Sequence, residues 1–225
     1  MNKKFELVMD QKIEFLGRTL FRVKALVSFA DVEAGEIGGY VENTDNIGVD
    51  GDAWVGGNAW VVGNARVVGN ARVDGNARVD GNARVVGNAR VVGNAWVVGN
   101  AWVVGNARVD GNARVGGNAW VGGNAWVGGN AWVGGDAWVG KNTHYLTVGP
   151  IGSRDDTITF FRTKELHISV KIGCFRGTID EFVLKVKETH AENPHAKAYL
   201  LAAEIAKVRI DLTPEEHTNP SHDPE

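Results

Sequence analysis

The chain has 225 residues, 44% of them hydrophobic, and a formal net charge of −3 at pH 7; this fits one long or two small globular domains and gives no global pull toward nucleic acid or an anionic membrane. Its single cysteine, Cys174, excludes an internal disulfide, and the N-terminus MNKKFELVMD lacks the apolar run of a signal peptide, so a reducing cytoplasm is the expected setting. No stretch approaches eighteen consecutive apolar residues, and no membrane span is expected.

Residues 1–50 read as a small β cap. Alternating runs over 5–8 and 20–27 flank a turn at Gly17, and Gly38-Gly39-Tyr40-Val41-Glu42 leads into Asn46-Ile47-Gly48-Val49-Asp50, a degenerate copy of the six-residue unit that begins at Gly51. From 51 to 140 the pattern G-[ND]-A-[WR]-V-[VDG] repeats fifteen times without a gap, and self-similarity of this kind decides the fold. Within a hexad, alternation puts Ala59 and Val61 on one face and Trp60 with Val62 on the other. Gly and Asn at the junction are the residues that most readily accept positive φ. Four extended residues and a two-residue corner make a short flat side, which closes only by coiling and stacking on its copies. The fold class expected is therefore mainly β, a parallel β-solenoid whose core is the valines from Val55 to Val139. Its open strand edges demand caps at both ends.

Residues 141–212 change to an α+β composition and read as a C-terminal cap or recognition domain. Strands are expected over 157–162 and 167–172. Thr178 and Glu181 stand at capping-box spacing before an apolar periodic run, and Asn193-Pro194 breaks the chain before a second helix to about Arg209. Residues 213–225 read as a disordered tail.

The coil pattern resembles the hexapeptide repeat of left-handed β-helices, in which an aliphatic residue fills the core, a small one stands two positions earlier, and three hexads make a turn. The flanks ALVSFADVEAGEIGGYVEN, VGPIGSRDDTITFFRTK, IGCFRGTIDEF and KAYLLAAEIAKVRI are similar to those of uncharacterised bacterial and bacteriophage hexapeptide-repeat proteins. Members are often labelled transferases on account of the repeat, which is an argument from fold alone. The resemblance implies a left-handed, three-sided solenoid of five coils, rising on the order of 24 Å at ~4.8 Å per coil. Residues eighteen apart then stack in three outward ladders. The first is Trp54, Arg72, Arg90, Arg108 and Trp126; the second is Trp60, Arg78, Trp96, Arg114 and Trp132; the third is Arg66, Arg84, Trp102, Trp120 and Trp138. Asp74, Asp80 and Asp110 each follow an arginine by two residues on the outward face, where they offset like-charge stacking.

Several constellations are candidates for function. Hexapeptide acyltransferases commonly use a histidine base near a subunit boundary, but all six histidines here lie C-terminal to the last hexad. His144 is the one catalytic candidate, set against the plainer reading of a hydrogen-bonded polar residue at a domain junction. Gly152, Ser153 and Arg154 offer backbone N–H groups, a hydroxyl and a guanidinium suited to a small anion, with Arg162 and Lys171 on the neighbouring strands as further members; the plain alternative is a glycine-rich connector. Cys174 reads as a small buried residue, His190 and His195 lack metal partners, and no metal or cofactor is expected. Trp120, Trp126, Trp132 and Trp138 girdle the last coils on all three faces and are the interface candidates, because each buried tryptophan removes about 150–250 Å² from water.

The primary reading is a non-catalytic scaffold or binding protein. It self-associates as a homo-oligomer, a trimer by resemblance, and carries a C-terminal module that recognises a ligand or partner. One alternative is an acyltransferase-like enzyme using His144 or the Ser153–Arg154 region with an acyl-CoA donor. Another is nucleic-acid or carbohydrate binding on the Trp and Arg ladders, against which the arginines are spread over all three faces.

Overall fold

A computed structural model describes residues 4–214. The strands Phe5–Phe15 and Arg18–Ala25 form an antiparallel hairpin, turned by Leu16 and Gly17 at positive φ. The first strand runs well past the four residues expected, because its second half pairs with Arg18–Phe21 after a bulge between Val8 and Lys12. The next strand, Ile37–Val41, is antiparallel to the hairpin on one side and parallel to the first coils on the other, with Tyr40 opposite Trp60 and Val41 opposite Val61. The cap is thereby continuous with one solenoid face, making an eight-stranded sheet; the other two faces are five-stranded.

The eighteen-residue register is present throughout. Trp96 pairs with Arg78 and Arg114, and Val97 with Val79 and Val115, and the other two faces stack in the same way. Every hexad alanine and valine on the inner side is buried. Ile47, in the degenerate hexad, is also buried and bridges Val67, so a partial coil precedes the five regular ones.

Two details of the ladders differ from expectation. Trp54 is only 2% exposed, because the N-terminal segment folds over it: Phe29 meets it edge-on at 5.7 Å, and a Cβ at Gly38 would lie 2.6 Å from its ring. Among the aspartates, Asp110 does pair with Arg108 at 2.8 Å. Asp74 and Asp80 instead turn into the corner, each accepting the N–H of the following glycine at 2.6 Å.

Each end of the solenoid meets groups complementary to those its edge presents. At the first coil, carbonyls face outward and donors cover them. Lys4 Nζ donates to Gly51 and Ala53 at 2.9 Å each, and Asn46 Nδ2 to Gly63 and Ala65 at 3.0 and 2.8 Å. Arg22 donates to Gly57 at 2.8 Å. Burial pulls the Lys4 pKa below its ordinary value. At the last coil, N–H groups face outward and acceptors cover them: Asn142 Oδ1 takes Trp126, Thr159 Oγ1 takes Trp132 and His144 Nδ1 takes Gly140, at 2.7, 3.0 and 3.0 Å. The outward carbonyl of Trp126 accepts from the Tyr145 hydroxyl at 2.6 Å.

The C-terminal part is a four-stranded antiparallel meander, Tyr145–Ile151, Asp156–Arg162, Ile168–Ile172 and Phe175–Thr178, followed by helices α1, Ile179–His190, and α2, Pro194–Arg209. The capping box forms as spaced, with Glu181 N–H donating to Thr178 Oγ1 and Thr178 N–H to Glu181 Oε2. Asn193 caps α2 with Pro194 in its first turn. The strand Asp156–Arg162 serves two cores by simple alternation. Ile158 and Phe160 face the helices, where Phe182 and Ala203 lie, while Phe161 joins the alanines and valines of the coils. Within the expected tail, Thr213 is held, its carbonyl accepting from Arg162 at 3.1 Å; residues 215–225 lie outside the described residues. Among the described residues no helix is long and apolar enough to cross a membrane.

Val97 sits in the middle coil with no exposure. Val97→Asp places an unpaired charge there and is expected to cost about 4 kcal/mol or more, read as loss of the cooperative circular-dichroism melt; retention of the wild-type melting temperature would refute the register. Thr159→Val keeps the shape but removes the acceptor for Trp132 N–H, and a loss of roughly 1–3 kcal/mol is expected by chemical denaturation.

Candidate functional site

The turn between the first two strands of the meander carries Gly152, Ser153 and Arg154. Gly152 has φ +79, and a Cβ there would overlap the Tyr199 hydroxyl. This close approach brings the turn over α2 and opens a cleft of about 400 Å³ between it, the Ile172–Phe175 hairpin and α1. Phe175, Phe182 and Tyr199 supply an aromatic floor, with Phe182 5.6 Å from Phe175 and 5.8 Å from Tyr199. Lys185, Thr189 and His190 come from α1 and Asp156 from the sheet. Burial first, then the Asp156 carboxylate, pushes the Tyr199 phenol pKa above its ordinary value, against Arg154, so the hydroxyl keeps its proton and remains a donor.

The residues singled out from sequence separate into three places. Gly152, Ser153 and Arg154 lie together at this cleft. Lys171 lies on the coil side, its Nζ 4.1 Å above the Trp132 ring and donating to the Gly173 carbonyl. Arg162 is fully buried, with Nη1 3.2 Å from His144 Nδ1 and Nη2 on the Thr213 carbonyl. Cys174 is exposed, not buried as expected, because it occupies the tip of the turn after Gly173 at the lip of the cleft. Phe175, Phe182, Lys185 and Tyr199 were not singled out from sequence. The helical and strand spacing of the three aromatics reads as core and Lys185 as solvated surface, and only the packing of α1 on α2 shows that one edge of that core is open.

His144 is also fully buried. Two donors, Gly140 N–H and the Arg162 guanidinium, converge on Nδ1, which must therefore accept; the ring hydrogen then sits on Nε2. This is the geometry of a polar residue sealing the coil end.

On the solenoid surface the second ladder forms an unbroken aromatic–cation column. Phe15 packs on Trp60 at 4.9 Å; Arg78 lies 4.3 Å from Trp60 and 5.3 Å from Trp96; Arg114 lies 5.2 Å from Trp96 and 5.5 Å from Trp132; Lys171 closes the far end. Each contact contributes about 0.5–1 kcal/mol at exposed sites. In the tryptophan girdle, Trp120 and Trp138 stack at 4.5 Å and 16°, and the Trp120 ring fills the space a Cβ at Gly122 would need. Trp132 and Trp126 are left 40% and 52% exposed. Helix α2 turns outward Leu201, Ile205 and Val208, spaced i, i+4 and i+7 and exposed by 65%, 54% and 90%. Asn142 links the two features: its side chain accepts from Trp126 N–H, and its carbonyl from Arg209 at 3.4 Å.

No protein-family model matches the sequence, and no curated protein matches it.

Gly152→Ala introduces a side chain at positive φ and displaces Tyr199. A loss of roughly 1–2 kcal/mol from the backbone alone is expected in chemical denaturation, and an unchanged midpoint would show that Tyr199 is not seated against the turn.

Proposed function

We propose that the protein is a self-associating, non-catalytic scaffold whose coils form a stiff rod and hold a C-terminal recognition module at one end. The observation that carries this is the apolar surface left exposed at Trp126 and along the Leu201, Ile205 and Val208 stripe of α2. An exposed apolar stripe on a helix whose other side is already packed calls for a cover, although Glu204 and Lys207 share the outer face, and a second copy presents the same stripe in return. The coil interior consists of alanine and valine and holds no titratable side chain. The cations of the second ladder sit against the rings of Trp96 and Trp132 from both sides, which favours a stabilising role over stacking with bases or sugars. His144, buried and twice hydrogen-bonded, supports sealing over acyl transfer. Resemblance to hexapeptide-repeat proteins brings left-handed coiling and a trimer into the same proposal, and the single cysteine a reducing cytoplasm.

The experiment is light scattering coupled to size exclusion on the intact protein and on a Trp126→Arg, Val208→Glu variant. An oligomer that dissociates in the variant, with the melting temperature kept, is the expected result. A wild-type monomer across micromolar concentrations would end the self-association reading.

A further inference from the structure

We propose that the cleft between the C-terminal sheet and α1 binds a small anion carried on a flat apolar body, the chemical class being an aryl phosphate or aryl carboxylate. This rests on reading the C-terminal part as a recognition module and supplies the ligand class that reading lacks. The cleft volume of about 400 Å³ lies within the roughly 300–1,000 Å³ of small-ligand pockets. Its floor, Phe175 and Phe182, is apolar and flat-faced, a bed for a ring.

Donors set the charge of the guest. Among the described residues, the Arg154 guanidinium and the Ser153 and Tyr199 hydroxyls take part in no hydrogen bond or ion pair. Three uncommitted donors beside an apolar bed call for a group that only accepts, which a carboxylate or phosphate is. The lining holds two cations, Arg154 and Lys185, against one carboxylate, Asp156; Lys185 also pairs with Glu188 at 3.4 Å, and one oxygen of Asp156 accepts the Thr157 N–H at 2.9 Å, which leaves Arg154 as the uncommitted charge. A cationic guest would meet the minority charge. The larger hollow beside the N-terminal cap, about 780 Å³ and lined by Lys4, Phe29 and Arg66, is less suited to a guest because the Lys4 ammonium there is committed to the carbonyls of Gly51 and Ala53.

The test is titration of the full chain with phenyl phosphate, benzoate, phenol and inorganic phosphate, followed by calorimetry and by amide resonances. Phenyl phosphate or benzoate is expected to shift the amides of Ser153, Arg154 and Phe175, and to bind at least about tenfold more tightly than phenol or phosphate; whichever of the two binds identifies the head group. Arg154→Gln is expected to weaken that binding on the order of tenfold or more without moving the melting temperature, since Arg154 holds nothing else in place. Binding no tighter than phenol, affinity unchanged in Arg154→Gln, or shifts confined to other surfaces would each overturn the proposal. The scattering experiment is independent: an oligomer with a silent cleft keeps the scaffold and loses the ligand class, and a monomer that binds does the reverse.

Discussion

Everything in this molecule depends on the corner of the hexad, where one glycine in the left-handed region turns the chain and lets the next coil settle on it at backbone distance. Gly75 shows why. Its φ is +73, and a Cβ there would meet the backbone of Gly93, one coil on, at 3.0 Å. The following asparagine locks the contact from both sides. Asn76 N–H donates to the Gly93 carbonyl at 2.8 Å, and its side-chain amide to Asn94 at 3.3 Å. With corners stacked this closely, the sides must stack too, and only alanine and valine fit the narrow interior that results. The repeat varies freely only where it faces out, which is where Trp, Arg, Asp and Val alternate.

A structure made of identical sides cannot end by itself, and much of the non-repeating sequence is spent on ending it. The N-terminal cap brings donors, a buried ammonium and an amide, to a row of carbonyls; the C-terminal cap brings an amide oxygen, a hydroxyl and an imidazole to a row of N–H groups. Leaving a buried donor or acceptor unmet costs about 1–3 kcal/mol, so these few side chains hold the ends closed against fraying and against pairing with another edge. The C-terminal sheet does more than close the rod. Phe160 and Phe161, adjacent in sequence, belong to different cores, so the module and the coils share a strand and cannot move independently.

The regular part of this architecture was legible because its signal is repeated fifteen times: the inward Ala and Val, the corner and the ladder partners all derive from one hexad and the three-per-turn resemblance. The capping box of α1 was legible because Thr178 and Glu181 interact locally. What failed to show depends on residues far apart in the chain. Trp54 sits in a hexad much like those of its exposed counterparts, and it is the N-terminal segment, with Phe29 and Gly38 against the ring, that covers it. Arg162 and Lys171 lie on adjacent strands, the first of them entered from the turn that carries Arg154, yet they are sent to a buried junction and to a tryptophan face. The cleft was half visible, as Gly152, Ser153 and Arg154. Its aromatic floor comes from α1, α2 and the last hairpin, and in sequence such residues are indistinguishable from ordinary core.

The threefold section has a consequence for how such a protein changes length. Eighteen residues complete one turn, so gaining or losing three hexads together would lengthen or shorten the rod and return the C-terminal module to the same side as before. Gaining or losing a single hexad would turn that module by a third of a revolution relative to the N-terminal hairpin. Unequal exchange between near-identical hexads is thus an indexing device as well as a ruler, each hexad adding a third of a coil to how far the cleft stands from the hairpin and a third of a revolution to the direction it faces.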